Sequence, residues 1–214
     1  MGELYNALDF NNEGVIYLGI GENFLDLNAF KALGFQLGSL LNKRKLAKVT
    51  IDLALLNNNT QAVKLFLEGL ANTQHNFDHY KKDKVVNTLK EVSFINVDEK
   101  LIKETFNIIE GINTTRNLVN TTPIDLYPES YANYISKLFK DTKVEVFNKE
   151  EIEKLGMEAL LAVSRGSNKE PRFVVLKYFG NNKTSKHTTF VGKGVIYDPG
   201  QRAEYDFHQI KVLI

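Results

Sequence analysis

Lys193 stands between Gly192 and Gly194, and Asp198 follows five residues on, in the run Val191-Gly192-Lys193-Gly194-Val195-Ile196-Tyr197-Asp198-Pro199-Gly200. The glycines let the backbone turn tightly and leave room for something to approach one amine and one carboxylate. Downstream, Glu204, Asp206 and His208 alternate. On a strand they would share a face, and all three are metal-ligand types. Ile210, Val212 and Ile214 would lie on that same face, however, so a solvated terminus is the expected reading. His75 and His79 have the four-residue spacing of a helical zinc pair. Asn72, Thr73 and Asn76 around them are poor helix formers and no glutamate adjoins His75, so surface histidines on a loop are expected. Ser167, in Ser164-Arg165-Gly166-Ser167, is a conceivable nucleophile without His and Asp partners placed by sequence. Gly19-Ile20-Gly21 has Phe24 where a dinucleotide fingerprint needs its third glycine, which argues against a phosphate loop.

The elements that must position these groups alternate between strand and helix patterns. Gly14 to Gly21 is an apolar strand and turn, and Asn28 to Asn42 carries Phe30, Leu33, Leu37, Leu40 and Leu41 on one helical stripe. Lys48 to Leu55 alternates, with Val49, Ile51, Leu53 and Leu55 on one face. Thr60 is the candidate N-cap of a helix through Leu70. A strand over 88–97 and a helix over 99–117, with Leu101, Ile102, Thr105, Ile108, Ile109 and Ile112 inward, complete the first half. Pro123 forces Thr122 out of helical geometry, and Pro128 opens the helix over 129–139. Strands over 144–147, 173–178 and 188–191, with a short helix over 149–155 ended by Gly156, finish the pattern. Such alternation argues for an α/β class with parallel strands. Two domains are expected, residues 1–115 and 116–214, the second an incomplete sheet whose last strand is an exposed edge.

Several stretches resemble the leucyl (cytosol) aminopeptidase family in wording and order. The run from Val191 follows that family's V-G-K-G-hydrophobic-hydrophobic-aromatic-D-S-G-G segment through Asp198, and Arg116-Asn117-Leu118-Val119-Asn120-Thr121-Thr122-Pro123 is similar to its R-x-L-V-N-x-P. Leu155 to Val163, then Gly166-Ser167 and Glu170-Pro171-Arg172, follow its L-G-M-G-A-L-L-A-V…G-S…P-P-R. Phe66 to Leu70 and Phe77 to Lys81 resemble its E-G-L…F-D-x-Y-K. The resemblance implies a three-layer α/β N-terminal domain followed by the first part of an α/β metallopeptidase domain. It implies release of N-terminal amino acids from peptide substrates at a centre of two divalent ions, manganese or zinc, and assembly as a homohexamer. By match to the motif, Lys193 and Asp198 are metal ligands. A lysine amine ligates only when deprotonated, a state that adjacent cations and burial favour.

The match stops at Pro199, where the family has serine, and Gln201 replaces its second glycine. The family's other three ligands and its catalytic lysine and arginine have no counterpart, so no catalytic residue carries over. The expectation is therefore an aminopeptidase truncated within its catalytic domain and inactive alone. The alternative is a non-catalytic assembly or binding module that retains the N-terminal domain.

Composition agrees with an ordinary globular protein. The 214 residues are 43% hydrophobic and 25% charged, with a formal net charge of +1. That balance gives no electrostatic reason to expect nucleic acid or an anionic membrane as partner. The absence of cysteine excludes disulfides, thiolate zinc sites and a cysteine nucleophile. With no apolar run long enough for a span and no basic-then-apolar signal in residues 1–12, a cytoplasmic location is the default.

Overall fold

The computed structural model describes residues 3–8, 14–21, 26–139, 142–179, 188–196 and 208–213. It divides into two compact units, Met1–Asn117 and Leu118–Ile214, each a mixture of helix and sheet.

The first unit begins with an antiparallel pair, β1 (Leu4–Leu8) and β2 (Gly14–Leu18). After helix α1 (Leu27–Lys43), strand β3 (Lys48–Asp52), helix α2 (Thr60–Asn72) and strand β4 (Glu91–Ile95) form a βαβ unit with a parallel pair. Helix α3 (Glu99–Asn120) follows, its last turn containing the division between the units. The expected stripe on α1 is buried at Phe30, Leu33, Leu37 and Leu41, and it packs with Val63, Phe66, Leu67 and Leu70 of α2 in one core. From α3, Leu101, Thr105 and Ile109 face inward, while Ile108 is exposed. The N-cap of α2 is Asn59 rather than Thr60: the Asn59 side chain accepts the Ala62 N–H at 3.0 Å, satisfying a donor the helix leaves free. Strand β3 ends at Asp52 and Leu55 lies 79% exposed in the turn, so the alternation stops contributing to the core at Leu53.

Helices α1 and α2 approach closely because Gly34 and Gly69 lie at their contact. A Cβ on Gly34 would overlap the Phe66 carbonyl oxygen and lie 2.8 Å from the Leu70 nitrogen. One on Gly69 would overlap the Lys31 carbonyl oxygen. The Lys31–Glu68 ion pair, at 2.5 Å, joins the same two helices.

The second unit contains α4 (Pro128–Leu138), β5 (Lys143–Phe147), α5 (Lys149–Lys154), α6 (Glu158–Ser164), β6 (Arg172–Lys177), β7 (Val191–Ile196) and β8 (His208–Leu213). Its sheet has the order β5-β6-β8-β7. Only β6–β8 is parallel; β5–β6 and β7–β8 are antiparallel. The expectation of parallel strands is therefore corrected in this unit for two of the three pairs, while the strand expected last, over 188–191, begins at Val191 as β7 and is an edge of the sheet. β8, last in sequence, lies between β6 and β7, and the edges among the described residues are β5 and β7.

Alternation along β6 builds two small cores. Val174 and Leu176 pack with Ala132 and Ile135 of α4, whereas Phe173 packs with Ile152 of α5 and Leu160 and Leu161 of α6. The six-residue α5 is held by a reciprocal cap: the Asn148 side chain accepts the Glu151 N–H at 3.0 Å and the Glu151 carboxylate accepts the Asn148 N–H at 2.8 Å. Gly156, at φ +67°, turns the chain from α5 into α6.

Glu145 of β5 receives Lys143 at 2.8 Å and Lys177 of β6 at 2.7 Å. The Lys143 and Lys177 ammonium groups, Lys143 first, hold its carboxyl well below the usual range, at about 2. A depressed carboxyl stabilises the fold above its unfolded value near 4.5, and that contribution disappears as pH falls towards 2. In Glu145→Gln, the loss of stability of β5–β6 between pH 5 and pH 2 is expected to be shallower than in the parent. Hydrogen exchange of the β5 amides across that range checks it, and an unchanged slope would refute it. Because both lysines are solvent-accessible, high salt is expected to weaken the effect.

Candidate functional site

Lys193 lies inside β7, not on a turn. The residues expected to turn, Gly192 to Gly194, continue the strand, opposite Val212, Lys211 and Ile210 of β8. The expected strand over 188–191 begins only at Val191. Glycine tolerates extended backbone as readily as a turn, and a partner strand settles the choice here. The Lys193 side chain is exposed, as is Val191. Asp198, its expected co-ligand, lies outside the described residues, as do Glu204 and Asp206. The residues 208–213, expected as a solvated terminus, instead form β8, with His208 opposite Ile196 in the register.

Two divalent ions held close together need several carboxylates to offset their mutual repulsion. Among the described residues no group of three or more His, Asp or Glu side chains is placed to hold a metal. The described residues therefore do not fit a two-metal centre, and no chemical step is derived through one.

The other sequence candidates have structural work. His75 and His79 lie in the loop after α2, as expected for surface histidines. His75 Nε2 is 2.8 Å from Asn117 Oδ1, and the His79 ring meets Tyr80 edge-on at 4.8 Å between centroids. The Gly19 N–H donates to the Glu3 carbonyl at 2.8 Å, extending the β1–β2 pairing; it is not free for a phosphate. Phe24 lies outside the described residues. Ser167 Oγ accepts the Lys169 N–H at 3.0 Å, and its own N–H reaches the Ser164 carbonyl at 3.1 Å, closing a turn.

The motif segments have similar explanations. Arg116 donates to the Asn72 side chain at 2.7 Å and so ties α3 to the end of α2. In Leu155 to Val163, Gly156 makes the turn and Leu160 and Leu161 fill the core. Arg172 reaches back to Glu170 at 3.1 Å and to the Pro171 carbonyl at 3.0 Å.

One concave feature escaped the sequence reading: a cavity of about 520 Å³ whose lining residues come from α5, α6 and the loop before β6. Its residues are dispersed over 149–171, some of them inside the motif segments, and no spacing among them signals a cavity.

Comparison with known proteins adds the following. Residues 113–202 match the cytosol aminopeptidase family, catalytic domain. The probable cytosol aminopeptidase of Clostridium tetani is 35% identical over 212 residues, covering 94% of this chain and 44% of that protein. That of Treponema denticola is 34% identical over 209 residues, covering 92% and 44%. Among solved structures, the bottromycin maturation enzyme BotP in complex with Mn aligns with a TM-score of 0.72 at 22% identity, over 85% of this chain and 40% of that one. At that identity the likeness speaks for the fold alone. The chain spans less than half the length of these curated relatives. Among the described residues, no helix is long and apolar enough to cross a membrane.

Proposed function

We propose that this chain, whose residues 113–202 match the cytosol aminopeptidase family, catalytic domain, is a segment of a metal-dependent peptidase that releases N-terminal amino acids from peptides. Lys193 and Asp198 are its contribution to the metal centre. The observation that carries this is the run Val191 to Asp198, which keeps the family's lysine and aspartate at their spacing inside the matched region. The 214 residues supply two of the five ligands that the family resemblance implies, and no catalytic residue is assigned among them.

Two expectations follow for the isolated chain. Leucyl substrates are not turned over with manganese or zinc supplied, and sedimentation finds no discrete hexamer, although the family resemblance implies one for complete members. Turnover that disappears in Lys193→Ala would overturn the first, and a sharp hexamer boundary would overturn the second and favour an assembly module.

The ligand assignment has its own test. Added manganese should bind weakly and broaden the amide resonances of 191–198 by paramagnetic relaxation, and Asp198→Asn should abolish the broadening. Equal broadening in that variant would remove Asp198 from the ligand set.

A further inference from the structure

The chain has no cysteine and two methionines, Met1 and Met157. An oxidant that prefers sulfur therefore has two targets, and Met157 is the one packed against a core.

Packing places its side chain at a boundary. Met157 is half-buried and lies against the core of Ile152, Leu160, Leu161 and Phe173. Leu155, Gly156 and Glu158 beside it are exposed, so water reaches the chain on both sides of the residue. Its backbone also joins two helices. The Met157 N–H donates to the Ile152 carbonyl of α5 at 3.3 Å. The Met157 carbonyl accepts the Leu160 and Leu161 N–H groups of α6 at 3.0 and 3.2 Å. At the N-cap of α6 it gives that helix no side-chain hydrogen bond, so the thioether contributes through packing alone. Helices of six and seven residues depend on such packing.

Polarity decides what oxidation would do here. A thioether is an adaptable apolar filler, whereas a sulfoxide is polar and carries a strong acceptor oxygen. The side chains of Ile152, Leu160, Leu161 and Phe173 have no donor for that oxygen. Held against them it would lose its hydration without replacement, so the oxidised side chain turns out to water. The core between α5, α6 and β6 is then uncovered. Ala132, Ile135, Val174 and Leu176, on the other face of β6, include no sulfur and keep their packing.

We propose that Met157 is a reversible oxidation site for hydrogen peroxide, and that its sulfoxide releases α5 and α6 from β6. The sulfur lone pair attacks one peroxide oxygen; an S–O bond forms and the O–O bond breaks. The departing hydroxide takes the proton of the transferred hydroxyl and leaves as water. Sulfur gives up two electrons and the peroxide accepts them. A dithiol reverses the step, becoming a disulfide as the sulfoxide oxygen leaves as water. Neither Lys193 nor Asp198 takes part.

The test exposes the full chain to hydrogen peroxide and follows it by mass spectrometry resolved by peptide. The peptide containing Met157 should gain the mass of one oxygen atom. Amides of 149–164 should then exchange about tenfold faster, while those of 128–138 are unchanged. Methionine sulfoxide reductases for both sulfoxide epimers, supplied with dithiothreitol, should restore the original exchange. Met157→Leu conserves volume and cannot be oxidised, so it should match the untreated parent before and after peroxide. Three results would each overturn the proposal: Met157 left unoxidised, oxidation without faster exchange in 149–164, or the same peroxide response in Met157→Leu.

Discussion

Gly69→Ala is expected to loosen the first unit severely, although alanine is the better helix former. The added methyl meets the Lys31 carbonyl oxygen of the facing helix, and the Phe35 nitrogen lies 3.0 Å away. Both are backbone atoms, so relief requires α1 and α2 to move apart. That separation would open the core around Phe30, Val63 and Leu67, all with essentially no exposure. Overpacking against a side chain costs roughly 1–3 kcal/mol, and rigid backbone places this substitution at or above the top of that range. The gain in helix propensity, about 1 kcal/mol, does not offset it. Gly111→Ala supplies the control. No atom lies within 4 Å of a Cβ there, so the same exchange in α3 should stabilise by about 0.5–1 kcal/mol. Hydrogen exchange resolved by peptide distinguishes the cases: faster exchange throughout α1 and α2 for Gly69→Ala, and slightly slower exchange in α3 for Gly111→Ala. Intact protection of α1 in Gly69→Ala would refute the close-contact argument.

Phe173→Ala should cost the second unit about 3–5 kcal/mol, through lost burial and the cavity left behind. Phe173 is 7% exposed, stacks at 5.5 Å on Phe147 of β5, and closes the core formed by Ile152, Leu160 and Leu161. Its removal weakens α5 and α6 together, since each is too short to persist without packing. Because the chain has two units, a single unfolding curve is a poor measure. The informative readout is exchange in residues 149–164 compared with 128–138, where α4 packs against the opposite face of β6. Uniform acceleration in both segments would contradict two separate cores on β6.

These substitutions mark where the sequence was transparent and where it was opaque. The stripe Phe30, Leu33, Leu37 and Leu41 announced α1 and its buried face, because apolar residues at helical spacing have one way to leave water together. Gly34 and Gly38 are buried on that same helix, but an apolar count does not register them; their role appears only once α2 is in place. Asn59 and Thr60 are both acceptable caps, and one residue of register decided between them. Gly192 and Gly194 suggested a turn from local preference, and pairing with β8 made them strand. The motif wording pointed to Lys193 and Asp198; it also ran through several residues that line the cavity, without marking them as a concave surface. That feature depends on α5, α6 and the loop before β6 meeting in space.

The position of β8 also bears on synthesis at the ribosome. Strand β7 is made first but touches β6 only through β8, which is made later. The nascent chain can join β5 to β6 while β7 must wait without a neighbour for its backbone groups. Residues 191–196 thus emerge as an orphan strand, and translation rate between Ile196 and His208 sets how long it stays one. The first unit carries no such debt: β3, α2 and β4 arrive in the order in which they pack. Slow codons in the segment joining β7 to β8 would lengthen the interval in which holdase chaperones find their substrate.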